Sequence, residues 1–186
     1  MSEQKAELEG LTLAIITVSD RSARGEREDL SGPELKRLVE AKGGRVLSLT
    51  VVPDEKEIIK RKLIELSQGA EAPEIILTTG GTGLAIRDLT PEATREVIEK
   101  EVPGLAEAMR AESLKKTPLA MLSRAVCGVR NQTLIVNLPG SRRGALENLE
   151  VVAPVLGHAV EVIRGKISDC RQSAHLHHRH QGEQKP

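Results

Sequence analysis

Residues 11–18 read LTLAIITV, an apolar run in which β-branched side chains predominate. Such a run predicts a strand that is buried on both faces, as the strands of parallel sheets are. Similar runs follow at 45–52 (RVLSLTVV) and 75–79 (IILTT), with helical periodicity between them. Because strands and helices alternate, we predict an α/β fold with a mostly parallel sheet.

The segments between the strands carry helix-start signals. Ser31 and Glu34 have the form of a capping box, and Thr90 precedes Pro91 as a cap precedes the first helical position. The other predicted elements are helices at 53–66, 103–114 and 144–164, a short helix after 118, and strands at 127–129 and 133–138.

The composition excludes several classes of partner. The 186 residues carry 27 Lys and Arg against 27 Asp and Glu, and they include no Phe, Tyr or Trp. Base-stacking nucleic-acid modules need aromatic faces, and neutrality removes the electrostatic argument for nucleic acid or an anionic membrane. No apolar run approaches the roughly 18 residues of a membrane helix. With a polar N-terminus and two cysteines outside any CxxC spacing, we expect a cytoplasmic protein.

Three segments differ in composition. Residues 1–10 predict a flexible polar lead, and 11–165 predict one folded domain. Residues 166–186 predict a disordered basic tail, which carries four of the five histidines.

Three polar loops follow predicted strands, namely 19–22 (SDRS), 79–83 (TGGTG) and 137–141 (NLPGS). They would meet at the carboxyl edge of the sheet, where open α/β sheets bind ligands. Glycines after a strand let backbone N–H groups approach an anion, which makes Gly80, Gly81, Thr82 and Gly83 candidates for binding phosphate. A plain tight turn is the structural alternative.

Two carboxylates stand near the same edge. Asp54 directly follows a strand and Pro53, and Asp88 lies five residues beyond the glycine loop. Mg²⁺ is held by one or two carboxylates together with substrate phosphates, so the pair predicts a magnesium site. Structural alternatives stay open for both, because Asp54 and Glu57 have the form of a capping box and Asp88 could pair with Arg87.

Other polar residues carry weaker signals. Arg87 and Arg124 are candidates for binding phosphate, although surface arginines are usually only solvated. Ser113 and Ser123 are candidates for binding ligand, although serines at helix ends more often cap. Cys127 predicts a core residue and not a nucleophile.

Together the loops resemble one known family. Residues 76–94 (ILTTGGTGLAIRDLTPEAT) are similar to the signature of the molybdenum-cofactor biosynthesis domain, the family of molybdopterin adenylyltransferases. Residues 52–55 (VPDE), 117–124 (TPLAMLSR) and 133–140 (TLIVNLPG) follow in that family's order and spacing. Residues 126–144 look closest to the G domain of gephyrin, and the resemblance covers about residues 11–165.

The resemblance implies a three-layer fold with helices on both faces of the sheet. It implies that Asp54 and Asp88 are the essential carboxylates at the metal and triphosphate, and that the 80–83 loop cradles phosphate. The residues that it assigns to the nucleotide and pterin pockets are Ser19, Asn137, Pro139 and Gly140.

By the same resemblance, we expect a Mg²⁺-dependent enzyme that transfers AMP from ATP to the terminal phosphate of molybdopterin and releases pyrophosphate. A homotrimer is expected with it, and a downstream molybdenum-insertion protein is a candidate partner. Two alternatives stay open: a non-catalytic trimeric scaffold or pterin-binding module of the gephyrin G type, and a relative that acts on a different phosphoanhydride. The presence of both Asp54 and Asp88 favours the enzyme, because a scaffold has no need of that pair.

One loop departs from the family pattern. Where the family commonly has Gly-Phe-x-Pro-Arg-Asp, residues 83–88 are GLAIRD. Without the proline and the aromatic ring, we expect the loop that carries Asp88 to be freer and less packed.

Overall fold

A computed structural model describes residues 6–165; residues 1–5 and the predicted tail at 166–186 lie outside the described part. The strands are β1 (Thr12–Val18), β2 (Arg45–Val52), β3 (Ile75–Thr79), β4 (Lys100–Glu101), β5 (Cys127–Arg130) and β6 (Thr133–Leu138). They form one six-stranded sheet in the order β2-β1-β3-β6-β5-β4. Strands β2, β1, β3 and β6 run parallel to one another, and β5 is antiparallel to both β6 and β4.

Helices cover both faces of this sheet, as predicted. The helices are α1 (Asp20–Ala23), α2 (Ser31–Ala41), α3 (Lys56–Leu66), α4 (Thr90–Arg95), α5 (Pro103–Leu114) and α6 (Arg142–Ile163), and a 3₁₀ helix spans Pro118–Leu122. One apolar cluster joins the sheet to α2, α5 and α6, and a second joins the opposite face to α3 and α4. The prediction of an α/β fold with a mostly parallel sheet is confirmed.

The two-residue period of the strands divides the core between these faces. In β1, Leu13 and Ile15 lie in the first cluster, whereas Ala14 and Ile16 lie in the second. All five residues of β3 are buried, as its central place in the sheet requires. Burying a side chain of this size stabilises the fold by about 1.5–3 kcal/mol, so aliphatic residues supply the core without aromatic rings.

The two predicted threonine and serine caps are wrong. Ser31 and Thr90 are each the first helical residue and not the residue before the helix. At α2 the capping oxygen comes from Asp29, whose Oδ1 accepts hydrogen bonds from the backbone N–H groups of Ser31 (3.0 Å) and Gly32 (3.1 Å). A side-chain oxygen two or three residues upstream therefore takes the place that the sequence pattern gave to Ser31.

Two further differences concern short segments. The predicted lead at 1–10 contains Leu8, which is fully buried in the first cluster, so the packed part of the chain begins before residue 11. The loop predicted at 19–30 contains the four-residue α1, and β4 has only two residues, both exposed. Elements this short carry no periodic signal in the sequence.

Candidate active site

The strand ends bring the predicted loops together. Gly80 follows β3, has a φ of 109°, and a Cβ at this position would lie under 3.0 Å from the carbonyl oxygen of Val18. A Cβ on Gly140, after β6, would lie 3.2 Å from the Cα of Gly80. Only residues without a side chain let the three backbones approach so closely.

The glycine loop presents unpaired backbone donors. Within residues 6–165, the N–H groups of Gly81, Thr82 and Gly83 donate to no protein acceptor. Thr90 holds the other side of the loop, because its N–H donates to the carbonyl of Gly81 (3.1 Å) and its hydroxyl to that of Gly80 (2.8 Å). Three consecutive free donors on a fixed loop suit an anion with several oxygens.

Asp54 faces this loop and does not cap α3. The N-cap of α3 is Glu55, and no side chain caps that helix. Oδ2 of Asp54 accepts a hydrogen bond from the N–H of Asp20 (2.7 Å), and the N–H of Asp54 donates to Oδ1 of Asp20 (3.0 Å). Burial raises the pKa of Asp54, and the negative charges of Asp20 and Asp88 raise it further.

Asp20 is a site residue that the sequence did not single out. The guanidinium of Arg87 donates two hydrogen bonds to its carboxylate, from Nε (2.5 Å) and Nη2 (2.8 Å), and they lower the pKa of Asp20. Asp20 thus joins Asp54 after β2 to the loop that follows β3. The pairing of Arg87 with Asp88, left open by the sequence, is replaced by this pairing with Asp20.

Asp88 lies on a loop with little packing of its own. Its Oδ2 accepts a hydrogen bond from the N–H of Ala85 (2.8 Å) and would lie 2.8 Å from a Cβ on Gly83. Leu84 and Ile86 on this loop are 65% and 95% exposed. The carboxylate of Asp88 therefore lies next to Gly83, and its hydrogen bond is to a residue of its own loop.

Arg124 reaches the same loop from the segment before β5. Its Nε donates to the carbonyl of Gly83 (2.7 Å), Nη2 donates to the carbonyl of Asp88 (2.5 Å), and Nη1 pairs with Glu92 in α4. Protein groups accept the hydrogen bonds of its guanidinium, so Arg124 holds this loop and does not occupy the phosphate-binding role that the sequence allowed.

Two cavities open on either side of the glycine loop. One, of about 510 Å³, is lined by Ser19, Asp54, Gly80, Gly81 and Gly140 among others. The other, of about 350 Å³ and mostly apolar, is lined by Thr82, Gly83, Ser113, Ser123 and Pro139 among others. The structure thus collects ten of the sequence-predicted residues around one loop.

Like Arg87, Asp88 and Arg124, the predicted site residue Asn137 lines neither of the two cavities. It is fully buried, its Oδ1 accepts from the N–H of Val126 (3.2 Å), and its Nδ2 donates to the hydroxyls of Thr78 and Thr94 (3.0 Å each). The expectation that it lines a pocket is corrected, because these bonds hold its carboxamide between β6, β3 and α4.

The carboxylates of Asp54 and Asp88 fit a Mg²⁺ ion that takes its other ligands from substrate phosphates and water. Among residues 6–165 there is no cluster of three or more His, Cys, Asp or Glu side chains that could enclose a metal. The carboxylates of Asp54 and Asp88 nevertheless both lie beside the glycine loop, and the negative charge of Asp88 contributes to raising the pKa of Asp54. Mg²⁺ requires only one or two carboxylates when phosphates and water complete its shell.

Two remaining predictions concern a thiol and the membrane. Cys127 is fully buried, and burial raises the pKa of its thiol to about 12, which agrees with a core residue. No helix in the described part, residues 6–165, has the length and apolar character that a membrane crossing needs.

Comparison with known proteins gives one consistent family. Residues 14–158 match the family described as "Probable molybdopterin binding domain". The chain is 39% identical over 160 residues to the molybdopterin adenylyltransferase of Helicobacter pylori strain J99, covering 85% of this chain and 90% of that protein. It is 41% identical over 167 residues to the molybdenum cofactor synthesis protein cinnamon of Drosophila melanogaster, covering 89% of this chain but only 28% of that protein.

Solved structures show the same similarity. A crystal structure of the molybdopterin biosynthesis enzyme MoaB from Thermus thermophilus superposes with a TM-score of 0.77 at 50% identity. The match covers 86% of this chain and 99% of that one.

Proposed function

Because this chain belongs to the family of probable molybdopterin binding domains, we propose that it is a molybdopterin adenylyltransferase. In this reaction an oxygen of the terminal phosphate of molybdopterin attacks the α-phosphorus of ATP. The bond between that phosphorus and the oxygen that bridges to the β-phosphate breaks, and pyrophosphate leaves. The relative of that name in Helicobacter pylori, 90% of which is covered by the match, supports the proposal.

The observation that carries the proposal is the set of groups around the glycine loop. Three N–H donors, of Gly81, Thr82 and Gly83, lie beside the carboxylates of Asp54 and Asp88. Transfer of a nucleotidyl group requires in-line positioning and stabilisation of charge far more than a covalent nucleophile. In this proposal the loop donors would position the phosphates and the carboxylates, through Mg²⁺, would stabilise their charge.

The site residues have separable roles in this proposal. Asp54 and Asp88 would hold Mg²⁺, which supplies positive charge to the triphosphate when it is bound. The N–H groups of Gly81, Thr82 and Gly83 orient phosphate oxygens. Asp20 holds the backbone and carboxylate of Asp54 in place through their reciprocal hydrogen bonds.

Three further properties belong to the same proposal. We propose a homotrimer, a cytoplasmic location and a molybdenum-insertion protein that receives the adenylylated product. The first is tested by the mass of the purified protein in solution, where a species three times the 20.2 kDa chain is expected. A monomer at assay concentration would contradict it.

The activity is tested by incubating the protein with molybdopterin, ATP and Mg²⁺ and by identifying adenylylated molybdopterin and pyrophosphate by mass spectrometry. Asp54→Ser tests the metal-binding role, because serine removes the carboxylate and no cap of α3 is lost with it. We expect its activity to fall by orders of magnitude while its melting temperature changes little.

The matched control is Glu57→Ser in the first turn of α3, three residues after Asp54, where the side chain is 68% exposed. We expect this variant to keep full activity. Wild-type turnover by Asp54→Ser would remove Asp54 from the site, and binding of molybdopterin without any product in the unchanged protein would favour the scaffold alternative.

A further inference from the structure

We propose that Arg124 is a positioning residue that sets the Asp88 carboxylate against the glycine loop. This inference rests on the proposed function, because it assigns Arg124 a part in the same reaction. The guanidinium of Arg124 has three partners, which lie at both ends of the exposed loop 83–88 and in α4, the helix that follows it.

The contacts of Arg124 span the whole loop. Nε donates to the carbonyl of Gly83, where the loop begins, and Nη2 donates to the carbonyl of Asp88, where it ends. The backbone N–H of Arg124 also donates to the carbonyl of Thr82 (3.0 Å). One residue therefore fixes the separation between the phosphate-binding backbone and the residue that carries the carboxylate.

Little else in the described part of the chain anchors residues 84–88. The bonds between Ala85 and Asp88, from each N–H to the other residue, are internal to the loop. Apart from the bonds of Arg124, the side-chain contact that joins residues 84–88 to another segment is the ion pair of Arg87 with Asp20. The guanidinium of Arg87 also lies 3.9 Å from the carboxylate of Glu55. Exposed Leu84 and Ile86 contribute almost no packing.

The electrostatics favour an arginine at this position. Nη1 pairs with Oε1 of Glu92 in the first turn of α4, and the Arg124 side chain is only 32% exposed. The other oxygen of Glu92 is buried without a partner among residues 6–165. A planar guanidinium can serve two carbonyls and a carboxylate at once, whereas the single ammonium of lysine cannot span them.

The test compares Arg124→Lys and Arg124→Ala with the unchanged protein. We expect kcat to fall about a hundredfold in Arg124→Ala, the loss that a misplacement of about 1 Å produces. The Mg²⁺ concentration for half-maximal rate should rise, because the Asp88 carboxylate is displaced. Added guanidinium ion should restore part of the rate in Arg124→Ala but not in Arg124→Lys, a response that a purely structural defect would not show.

The matched control is Arg130→Ala at the far edge of the sheet. Arg130 also donates to a backbone carbonyl, that of Val97 (3.0 Å), and no hydrogen bond or ion pair described within residues 6–165 joins its side chain to residues 83–88. We expect it to lose stability without a change in Mg²⁺ dependence. Equal effects of both alanine variants on rate and Mg²⁺ dependence, or no rescue by guanidinium, would overturn the inference.

A second measurement separates this inference from the proposed function. Hydrogen exchange at the amides of Ala85 and Asp88 reports the order of the loop whether or not the protein turns over. We expect exchange about tenfold faster in Arg124→Ala and unchanged in Arg130→Ala, since loss of a charge-assisted bond costs about a factor of ten in local opening. Unchanged exchange would overturn the role of Arg124, whereas loss of protection with no adenylyl transfer in any variant would overturn only the proposed function.

Discussion

Replacing Gly80 by alanine tests the close approach of strand ends on which the site depends. The φ of 109° is a region that residues with side chains rarely adopt, and forcing alanine into it costs about 1–3 kcal/mol. The added Cβ would also lie under 3.0 Å from the carbonyl oxygen of Val18, which is backbone and cannot rotate away. Moving a packed backbone adds about 1–3 kcal/mol, so we expect a loss of about 2–6 kcal/mol in the free energy of unfolding.

Gly69→Ala supplies the matched control for this prediction. Its φ is 87°, but nothing lies within 4 Å of the added Cβ, so only the backbone strain of about 1–2 kcal/mol applies. Urea unfolding should be followed by far-ultraviolet circular dichroism, because the chain has no Trp or Tyr to report by fluorescence. If Gly80→Ala were no less stable than Gly69→Ala, the close approach of β3 to the end of β1 would be refuted.

Three shorter predictions follow from individual contacts. Thiol reagents should label the peptide that contains Cys127 only in denaturant, because burial holds the pKa of this thiol at about 12; labelling of the folded protein would contradict its place in the core. Hydrogen bonds from two lysines lower the pKa of Glu96 from 4.5 to about 2, so its stabilisation is complete above 4.5 and is lost as the pH falls toward 2. The difference in unfolding free energy between the unchanged protein and Glu96→Gln should shrink over that range, and a constant difference would refute the pairing. Asp29→Ala should cost about 1 kcal/mol of stability and Ser31→Ala less than about 0.5, the reverse of what the sequence pattern implies.

The sequence predicts the larger elements well because their signals are periodic. The buried run at 11–18 becomes β1, and the predicted helix at 103–114 is α5 at the same bounds. The predicted cap at Thr90 fails for a reason outside the local pattern. Its hydroxyl donates to the carbonyl of Gly80, ten residues earlier, and that contact depends on how the loop folds back.

Some residues of the candidate site could likewise be predicted from local patterns, whereas others depend on contacts between distant parts of the chain. Glycines and aspartates after strands are visible as patterns, so Asp54 and Asp88 could be predicted from the chain. Asp20 and Arg124 acquire their roles from partners 34 and 36–41 residues away. The sequence did not single out Asp20, and it marked Arg124 only as a candidate for binding phosphate. Asn137 was predicted to line a pocket, but its side chain is hydrogen-bonded to Thr78 and Thr94 in the core. The sequence around Asn137 does not show these partners.

The rate of adenylyl transfer by Asp88→Asn, compared with that of the unchanged protein, tests directly whether the Asp88 carboxylate acts in the reaction. Asparagine keeps the size of the side chain and the acceptor for the N–H of Ala85, but it replaces a charged metal ligand with a weak neutral one. We expect adenylylated molybdopterin from the unchanged protein with Mg²⁺ and none from Asp88→Asn, with the same unfolding curve for both. Equal rates from the two proteins would contradict the assignment of Asp88 and the site built around it.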